Sequence, residues 1–444
     1  MRFTSICSNV LLGAALVTAA PAQSRAIGDP IPVDMIGMLS KYNDQINSAL
    51  SKRDGNKSKK VCKHSTVTTR KEWRSLSQNE RADYITAVQC LIGKRSQANR
   101  RKVPGARNRL DDFVASHLVE GDKIHFNGHL FAWHRHFVWL YEQALRKECG
   151  YKGAQPYWDW TLDSANLLAS PLFDGSPYSM GSNGEYFAHG STHLEAFGLK
   201  LDLPAGTGGG CLKTGPFKDL IVNLGLNQTI SPPAGNVTAP IPKTIDTPST
   251  TNPEPLTELD KVIKNVTDIV EEPFQLFEDV ESVGVIKYNE ALNYNPRCLR
   301  RDLNLEWAKM LDVANQQYLL TCPNVDCLER RIDGFEVNDP SQPAVHPAGH
   351  FVVGGLQNDP FASPGDPMFY LIHAQIDRLY SIWQAQDPAN RLKQVGGTKK
   401  PLDIDHSGTP VSLEDKLAFG IVDGKRKLKK LLSTTDNFYC YHYA

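Results

Sequence analysis

Apolar residues recur with a helical period in three stretches of the chain, and each of the three apolar faces includes a histidine. In the segment RLDDFVASHL, the positions spaced three and four apart are Leu110, Phe113, Val114, His117 and Leu118. This spacing predicts an amphipathic helix whose buried face carries His117. An imidazole in such a place is usually an ordinary hydrogen-bonded core residue, so this position alone does not indicate chemistry.

A second apolar stripe follows from Leu130 to about Glu148. Its members are Phe131, His134, Val138, Tyr141 and Leu145. Charged side chains lie on another side of the same predicted helix, so His134 is expected to point inward.

The third stretch, GDPMFYLIHAQIDRLYSIWQAQ, begins with Asp366 as an expected N-cap and Pro367 at the first helical position. Its stripe consists of Phe369, Ile372, His373, Ile376, Tyr380 and Trp383. Elsewhere the chain offers only short strand-like pieces. The pattern therefore predicts a mainly α fold with an all-helical core and long loops.

The N-terminal segment differs from the rest of the chain. Arg2, an apolar run up to Ala20 and small residues around Pro21 predict a signal peptide over residues 1–22. Residues 23–444 are then expected to form a single domain, in which the stretch 204–256, rich in Pro, Gly and Thr, is a long surface insertion. We therefore expect an exported protein.

Composition and charge exclude some classes of partner. The chain has 49 basic and 49 acidic side chains, and its basic run GKRKLKK is typical of a solvated face. No apolar run approaches the roughly 20 residues that a membrane span needs. Neither a nucleic acid nor a membrane is therefore expected as a partner.

The cysteines agree with export. Of the 9 cysteines, Cys7 falls in the predicted signal peptide, and an even number remains. An even number in an exported chain predicts disulfides, but the sequence leaves the connectivity open, except that CPNVDC favours a local bridge. Sequons at Asn56, Asn227, Asn236 and Asn265 are also typical of an exported glycoprotein.

Six of the 13 histidines fall into two groups by their spacing. They are His117, His125 and His134 in the first half, and His346, His350 and His373 in the second. In HPAGH the i, i+4 spacing places both imidazoles on one side of a short helix. The segment HGSTH has the same spacing but a loop-like interior, so His189 and His193 are predicted to be surface residues.

Three neutral imidazoles without a thiolate or a carboxylate suit copper, zinc, iron or nickel and leave a coordination position open for a reactant. Two such sites facing each other could share dioxygen. Because each histidine lies on or beside an apolar stripe, the metals are expected in a dry pocket between helices.

The order of these motifs resembles a known family. The histidines of the first half, WHRHFVWLYEQAL, PYWDW, H-x3-H and DPMFYLIHAQIDRLYSIWQ follow one another as in the tyrosinases and catechol oxidases, which are type 3 dicopper proteins. The resemblance extends from about residue 60 to the end, and NPRCLRRDLN and the terminal YCY are similar to its short secreted fungal branch. It implies a four-helix bundle around a dinuclear copper site. Since the chain ends just after YCY, no C-terminal lid domain is expected.

The resemblance also assigns residues. It implies that His117, His125 and His134, within a segment of residues 106–148, bind copper A. It implies that His346, His350 and His373, within a segment of residues 335–386, bind copper B. His129 and His136 match no ligand position. Many fungal members have a cysteine two residues before the middle copper A histidine, whereas this chain has Lys123 there.

Two positions bear on the reaction. Relatives that hydroxylate monophenols often have an asparagine after the first copper B histidine, where it helps a nearby glutamate to hold a water. This chain has Pro347, whose side chain has no donor or acceptor. Glu336 is the candidate for the acidic catalytic partner, with a surface carboxylate as the alternative.

Two further residues are expected near the site. Phe351, after the second copper B histidine, is expected at the pocket mouth against a substrate ring. Asp377 lies one turn beyond His373, where it is predicted either to orient a copper ligand or to form an ion pair with an arginine.

We therefore expect a secreted copper polyphenol oxidase that uses dioxygen to oxidise o-diphenols, and also o-aminophenols, to o-quinones. One alternative is a tyrosinase that also hydroxylates monophenols. The others are a dioxygen carrier of the hemocyanin kind and a zinc hydrolase, and neither domain repeats nor an H-E-x-x-H motif supports them.

Overall fold

The computed structural model describes residues 33–54, 62–232, 289–334, 344–403 and 407–444. The predicted signal peptide, Glu336, residues 233–256 of the predicted insertion and the sequons at Asn56, Asn236 and Asn265 lie outside these ranges. In the part of the chain that is described, no helix is both long and apolar enough to cross a bilayer.

The core of the protein is helical, as the sequence predicted. The described helices are α1 Val33–Ser51, α2 Gln78–Gly93, α3 Arg109–Glu120, α4 Leu130–Glu148, α5 Leu305–Ala308, α6 Val313–Leu320, α7 Val325–Asp333, α8 Val345–Phe351, α9 Met368–Ala385 and α10 Pro388–Arg391. Helix α4 packs on α9, where Phe131 stacks on Tyr380 and Tyr141 stacks on Tyr370. These aromatic contacts join the two helices that carry His134 and His373.

The helices begin where local hydrogen bonds satisfy their free N–H groups. Helix α3 begins after Asn108, which exchanges hydrogen bonds with Asp111 in a capping box. Helix α9 begins at Met368, one position later than predicted, and Asp366 accepts a hydrogen bond from the Met368 amide at 3.0 Å. Arg301 forms a fully buried ion pair with Asp366 at 2.7 Å, which fixes the start of α9 against the NPRCLRRDLN segment.

Short strands surround the helical core. They are β1 Thr68–Arg70, β2 Gly184–Tyr186, β3 Thr192–Ala196, β4 Leu199–Leu203, β5 Gly209–Leu212, β6 Ile221–Val222, β7 Thr229–Ile230, β8 Arg297–Cys298, β9 Lys416–Phe419, β10 Asp423–Lys427 and β11 Tyr441–Tyr443. Strands β1 and β11 pair in parallel and so place the last described strand beside the first, whereas the other strand pairs are antiparallel.

All cysteines beyond Cys7 form disulfides. The pairs are Cys62–Cys440, Cys90–Cys149, Cys211–Cys298 and Cys322–Cys327. The local bridge that CPNVDC predicted is confirmed. The other three join residues 59 to 378 positions apart, which sequence spacing could not have revealed.

The described part of the predicted insertion, residues 204–232, is not a simple surface loop. Its strands pair with β2, β3 and β8, and Leu212, Phe217 and Leu224 are buried in the core. The Gly-rich run at its start is needed for close packing, since a Cβ at Gly208 or Gly210 would lie within 3 Å of neighbouring atoms.

His189 departs from the sequence prediction. His193 is exposed, as expected, but the side chain of His189 is 2% exposed and its Nε2 lies 3.4 Å from Oδ2 of Asp302. The Asp302 carboxylate raises the pKa of His189. Burial opposes the ionisation of Asp302, but hydrogen bonds from His189 and the Gly208 and Gly206 amides outweigh it and lower the pKa of Asp302.

This pair gives an expected pH dependence. Because the pKa of His189 is raised above 6.5, its contribution to stability is complete below pH 6.5 and is lost as the pH rises through the raised value. We expect the urea midpoint to fall more between pH 6 and pH 8 in the wild type than in His189→Gln. Equal changes in the two proteins, with His193→Gln as the exposed control, would contradict the assignment.

Candidate metal centre

The three histidines of the first half come together where the C-terminal part of α3 meets the N-terminal part of α4. His117 is on α3, His134 is on α4, and His125 lies in the connection between them. All three are buried, and one ring nitrogen from each lies within 4.8 Å of the other two. The apolar stripes that place His117 and His134 inward thus also place them beside each other.

The three histidines of the second half form a matching group. His346 and His350 are one turn apart on α8, and His373 is on α9. All three are buried, and their ligand atoms meet the same 4.8 Å limit. Among the described residues these two groups are the clusters of at least three potential ligands that could hold a metal ion.

The two groups face each other. The ring of His134 stacks on that of His373 with centroids 4.3 Å apart, and the rings of His125 and His346 stack at 6.2 Å. Phe369 lies beneath both groups, and its ring contacts His117, His134, His350 and His373. The six imidazoles therefore line one apolar, water-poor centre rather than two separate sites.

The backbone fixes the proton on each imidazole of the first group. The Nδ1 atoms of His117, His125 and His134 lie 2.8–2.9 Å from the carbonyl oxygens of Phe361, Gly121 and Leu130. Because a carbonyl can only accept, each Nδ1 must carry the hydrogen. Each Nε2 therefore presents its lone pair to the centre, which is the form that binds a metal.

Side chains contact the Nδ1 atoms of two of the three imidazoles in the second group. Gln357 Oε1 lies 2.7 Å from His350 Nδ1, and the amide cannot be reversed because its Nε2 donates to Ser363 O. Asp333 lies 2.7 Å from His346 Nδ1. Burial raises the pKa of Asp333, and a hydrogen bond from the Phe126 amide opposes this by favouring the carboxylate. His373 Nδ1 has no partner among the described residues.

The nitrogens inside the centre fit a metal better than they fit each other. His117 Nε2 and His134 Nε2 lie 3.4 Å apart, and both carry lone pairs because both Nδ1 atoms donate elsewhere. His350 Nε2 and His373 Nε2 are 3.1 Å apart, and the buried Nε2 of His346 has no partner among the described residues. The lone pairs of His117 and His134 face each other in a dry site and repel, and a bound cation removes this repulsion. Six neutral imidazoles are a donor set that suits copper.

Burial keeps these imidazoles neutral. It lowers the pKa of His125, His346 and His350 to about 3, and it lowers the pKa values of His117, His134 and His373 well below the usual value. The unprotonated form that a metal needs is thus present at neutral pH without competition from protons.

His129 and His136 lie outside both groups. His129 contacts the Lys123 carbonyl at 3.2 Å and Asp415 at 3.3 Å. His136 lies between the Tyr439 hydroxyl and Asp423, at 2.7 and 2.8 Å. Both imidazoles are thereby engaged in structural contacts.

The other predicted site residues have different surroundings. Pro347 follows His346 directly and is half-buried. Phe351 is also half-buried and packs against Trp307, with centroids 5.1 Å apart. Glu336 lies outside the described residues, so its catalytic role stays a prediction.

Among the described residues, the hydrogen-bond partners of Asp377 are arginines and tyrosines and not the histidines of the centre. Its carboxylate bonds to Arg135 at 2.5 Å and to the hydroxyls of Tyr443 and Tyr441 at 2.6 and 2.7 Å, and Arg70 lies 3.4 Å away. Of the two roles predicted from sequence, the ion pair is the one observed. Arg135 belongs to α4 and both tyrosines belong to β11, so the carboxylate one turn after His373 is directed to these elements.

Sequence reasoning missed the residues that orient the imidazoles. Asp333 precedes His346 by 13 positions, and Gln357 follows His350 by 7. No periodic pattern links either residue to its histidine. Phe369 was found as a member of the apolar stripe, but the stripe did not show that its ring would form the floor of the centre.

The fold and the centre define a helical metalloprotein with a dinuclear, six-histidine site. A family model described as the common central domain of tyrosinase matches residues 107–386, which include all six histidines. The chain therefore belongs to the tyrosinase family. It is a copper-dependent oxidoreductase, its cofactor is a dinuclear copper site, and phenols with dioxygen are the reactants of the family.

Individual relatives agree with this. The chain is 36% identical over 382 residues to Tyrosinase P of Aspergillus terreus, a match that covers 84% of this chain and 91% of the relative. It is 31% identical over 407 residues to the N-acetyl-6-hydroxytryptophan oxidase ivoB of Emericella nidulans, over 86% of this chain and 93% of the relative.

A solved structure is also similar. It is that of a mutant polyphenol oxidase from Thermothelomyces thermophila, with a TM-score of 0.74 and 31% identity, over 94% of this chain and 99% of that one. The mainly α fold predicted from sequence is confirmed by this similarity.

Proposed function

We propose that the protein is an exported catechol oxidase, in which His117, His125 and His134 bind copper A and the second group binds copper B. The second group consists of His346, His350 and His373. The support for this assignment is that five of the six Nδ1 atoms have oxygen partners, which leaves the Nε2 lone pairs directed inward.

Copper bound at these imidazoles supplies the electron exchange with dioxygen that organic side chains cannot perform. Two catechols and one dioxygen give two o-quinones and two waters, which balances atoms and electrons. The chain contributes the oriented imidazoles and the apolar floor at Phe369, which is fully buried beneath them and excludes water.

Pro347 is the observation that favours oxidation of o-diphenols over hydroxylation of monophenols. It is half-buried beside His346, and its side chain can neither donate nor accept a hydrogen bond. A water that removes the proton of a monophenol therefore has no amide partner at this position. Catechols and o-aminophenols already carry both heteroatoms and need no hydroxylation. Glu336 stays the predicted proton acceptor.

We expect Pro347→Asn to raise the ratio of tyrosine hydroxylation to catechol oxidation by about tenfold. This increase is smaller than the rate enhancement that a direct proton-transfer residue usually gives, because the asparagine amide acts only by holding a water. Dioxygen uptake with catechol, 2-aminophenol and tyrosine measures this ratio. Pro347→Ala is the matched control, because it removes the ring without adding an amide, and it should leave the ratio unchanged.

If the wild type hydroxylates tyrosine as fast as it oxidises catechol, the proposed preference for o-diphenols over monophenols is wrong. That result would favour the tyrosinase alternative, which the name of the Aspergillus terreus relative keeps open. The oxidase from Emericella nidulans is named for a hydroxylated indole, so a fused phenolic ring also belongs in the substrate panel. The chain belongs to a family of oxidoreductases, and this membership supports neither a dioxygen carrier nor a zinc hydrolase.

Export is part of the same proposal. Its support is the signal-like segment over residues 1–22 and the use of all later cysteines in disulfides. The described sequon at Asn227 is exposed, as an acceptor of a glycan must be. Residues 23–444 are proposed to act as one catalytic domain.

A further inference from the structure

Two phenylalanines beside the metal centre have an unfavourable backbone conformation. Phe126 has φ +54° and Phe197 has φ +53°, and Leu402 and Asn437 are the other non-glycine residues with positive φ in the described ranges. A side chain as bulky as phenylalanine is a true outlier in this region, because its Cβ crowds the backbone. Such outliers persist where the surrounding structure holds them, and they are frequent at functional sites.

Phe197 is at the tip of the hairpin formed by β3 and β4. Ala196 pairs with Leu199, so the turn consists of Phe197 and Gly198, both with positive φ. This is the geometry of a type I′ turn, for which asparagine or glycine is strongly preferred at the first position. Phenylalanine is therefore not explained by formation of the turn.

The ring of Phe197 returns to the metal centre instead of projecting into solvent. The arms of the hairpin are largely exposed near the tip, yet Phe197 itself is only partly exposed. Its ring centroid lies 5.8 Å from that of His125, 4.8 Å from Phe126 and 5.1 Å from Phe361. The three phenylalanines form an aromatic wall on the side of the first histidine group.

Phe126 and Phe361 are already fixed by other contacts. The Phe126 carbonyl accepts a hydrogen bond from the Leu402 amide at 3.0 Å. The Phe361 carbonyl orients His117, and its ring lies so close to the backbone that a Cβ on Gly121 would be 2.3 Å from Cδ1. In contrast, the position of Phe197 in the wall depends on the turn between β3 and β4 and on the contacts of its ring with His125, Phe126 and Phe361.

We propose that Phe197 is a specificity-determining residue that narrows the substrate pocket on the side of His125. This inference rests on the proposed function. The wall is apolar and uncharged, so it favours small neutral catechols and disfavours those with a branched, charged substituent on the ring. A zwitterionic side chain would have to lie against three phenyl rings and lose its hydration there.

The experiment compares wild type, Phe197→Asn and Leu201→Asn, all loaded with copper. Asparagine tolerates the positive φ, and Leu201 is a matched apolar position on the same hairpin, 40% exposed and away from the tip. With the copper reduced to Cu(I), so that no oxidant is present, binding of 4-methylcatechol and of 3,4-dihydroxyphenylalanine is measured by calorimetry without dioxygen. Turnover of both is then measured with dioxygen. Copper content and the Tm of each apoprotein are measured in parallel.

We expect Phe197→Asn to tighten binding of 3,4-dihydroxyphenylalanine and to lower its KM by about tenfold, while 4-methylcatechol changes less than about twofold. Leu201→Asn should change neither, and all three proteins should hold two coppers. The apoprotein Tm of Phe197→Asn should not fall below that of Leu201→Asn, because relief of the unfavourable backbone offsets the lost ring contacts.

The inference is overturned if Phe197→Asn and the wild type have the same ratio of Kd for 3,4-dihydroxyphenylalanine to Kd for 4-methylcatechol, and the same ratio of the two KM values. The ring of Phe197 would then have only a structural role. If the wild type binds both catechols but oxidises neither, the proposed function fails, whereas the Kd ratios still decide the role of Phe197. If the wild type binds neither catechol, both proposals are wrong.

Discussion

Replacing His350 by alanine is expected to reduce the copper content from two ions per chain to one and to lower catechol oxidation by about a thousandfold or more. Gln357 fixes the direction in which His350 presents its Nε2, and alanine removes this ligand atom. The remaining pair, His346 and His373, then gives copper B only two ligands. Metal analysis and dioxygen uptake with catechol measure the two effects.

Two single-histidine variants serve as controls for this prediction. His193→Ala removes an exposed imidazole, and His136→Ala removes a buried one that contacts Tyr439 and Asp423 instead of the centre. Both should retain two coppers. Full copper in His350→Ala, or loss of copper in His193→Ala, would show that the proposed ligands are assigned wrongly.

Replacing Asp377 by alanine is expected to lower the free energy of unfolding of the apoprotein by about 3–5 kcal/mol. The carboxylate and the guanidinium groups of Arg70 and Arg135 are at most 2% exposed. Arg70 keeps a second carboxylate at Glu142, but the remaining described hydrogen-bond acceptors of Arg135 are neutral oxygens. A buried charge without a counter-ion is thus left between α4, α9 and β11.

Urea unfolding at neutral pH checks this expectation. Glu306→Ala, which breaks an exposed pair with Lys309, is the control and should have no measurable effect, since such surface pairs contribute little. Folded Asp377→Asn should still hold two coppers, because Asp377 does not contact a histidine of the centre. Loss of copper at unchanged stability would instead support the orienting role that we considered from sequence.

Much of the site could be read from the sequence because helical periodicity fixes which side of a helix is apolar. His117, His134 and His373 each share a stripe with large apolar residues, and the i, i+4 spacing in HPAGH pairs His346 with His350. The motif order then identified the family. The local disulfide of CPNVDC was predictable for a similar reason, since a short chain segment keeps its ends close.

The pairing of distant segments could not be read in this way. Cys62 and Cys440 are 378 positions apart, and the strands of the predicted insertion pair with partners from both halves of the chain. His189 was expected at the surface because its segment looks loop-like. Its burial depends on Asp302, more than 100 positions away, which sequence spacing cannot connect to it.

The sequence by itself therefore determined the four helices that carry the histidines (α3, α4, α8 and α9), the apolar faces of the three longer ones, and the histidines available to a metal. The tertiary structure alone decided what each buried group contacts: Gln357 at His350, Arg135 at Asp377 and Phe197 at His125. The physical reason is that periodicity sets the direction of a side chain relative to its own helix axis. The partner in that direction depends on how separate segments pack, and hydrogen bonds and ring contacts are too short-ranged to be inferred without that packing.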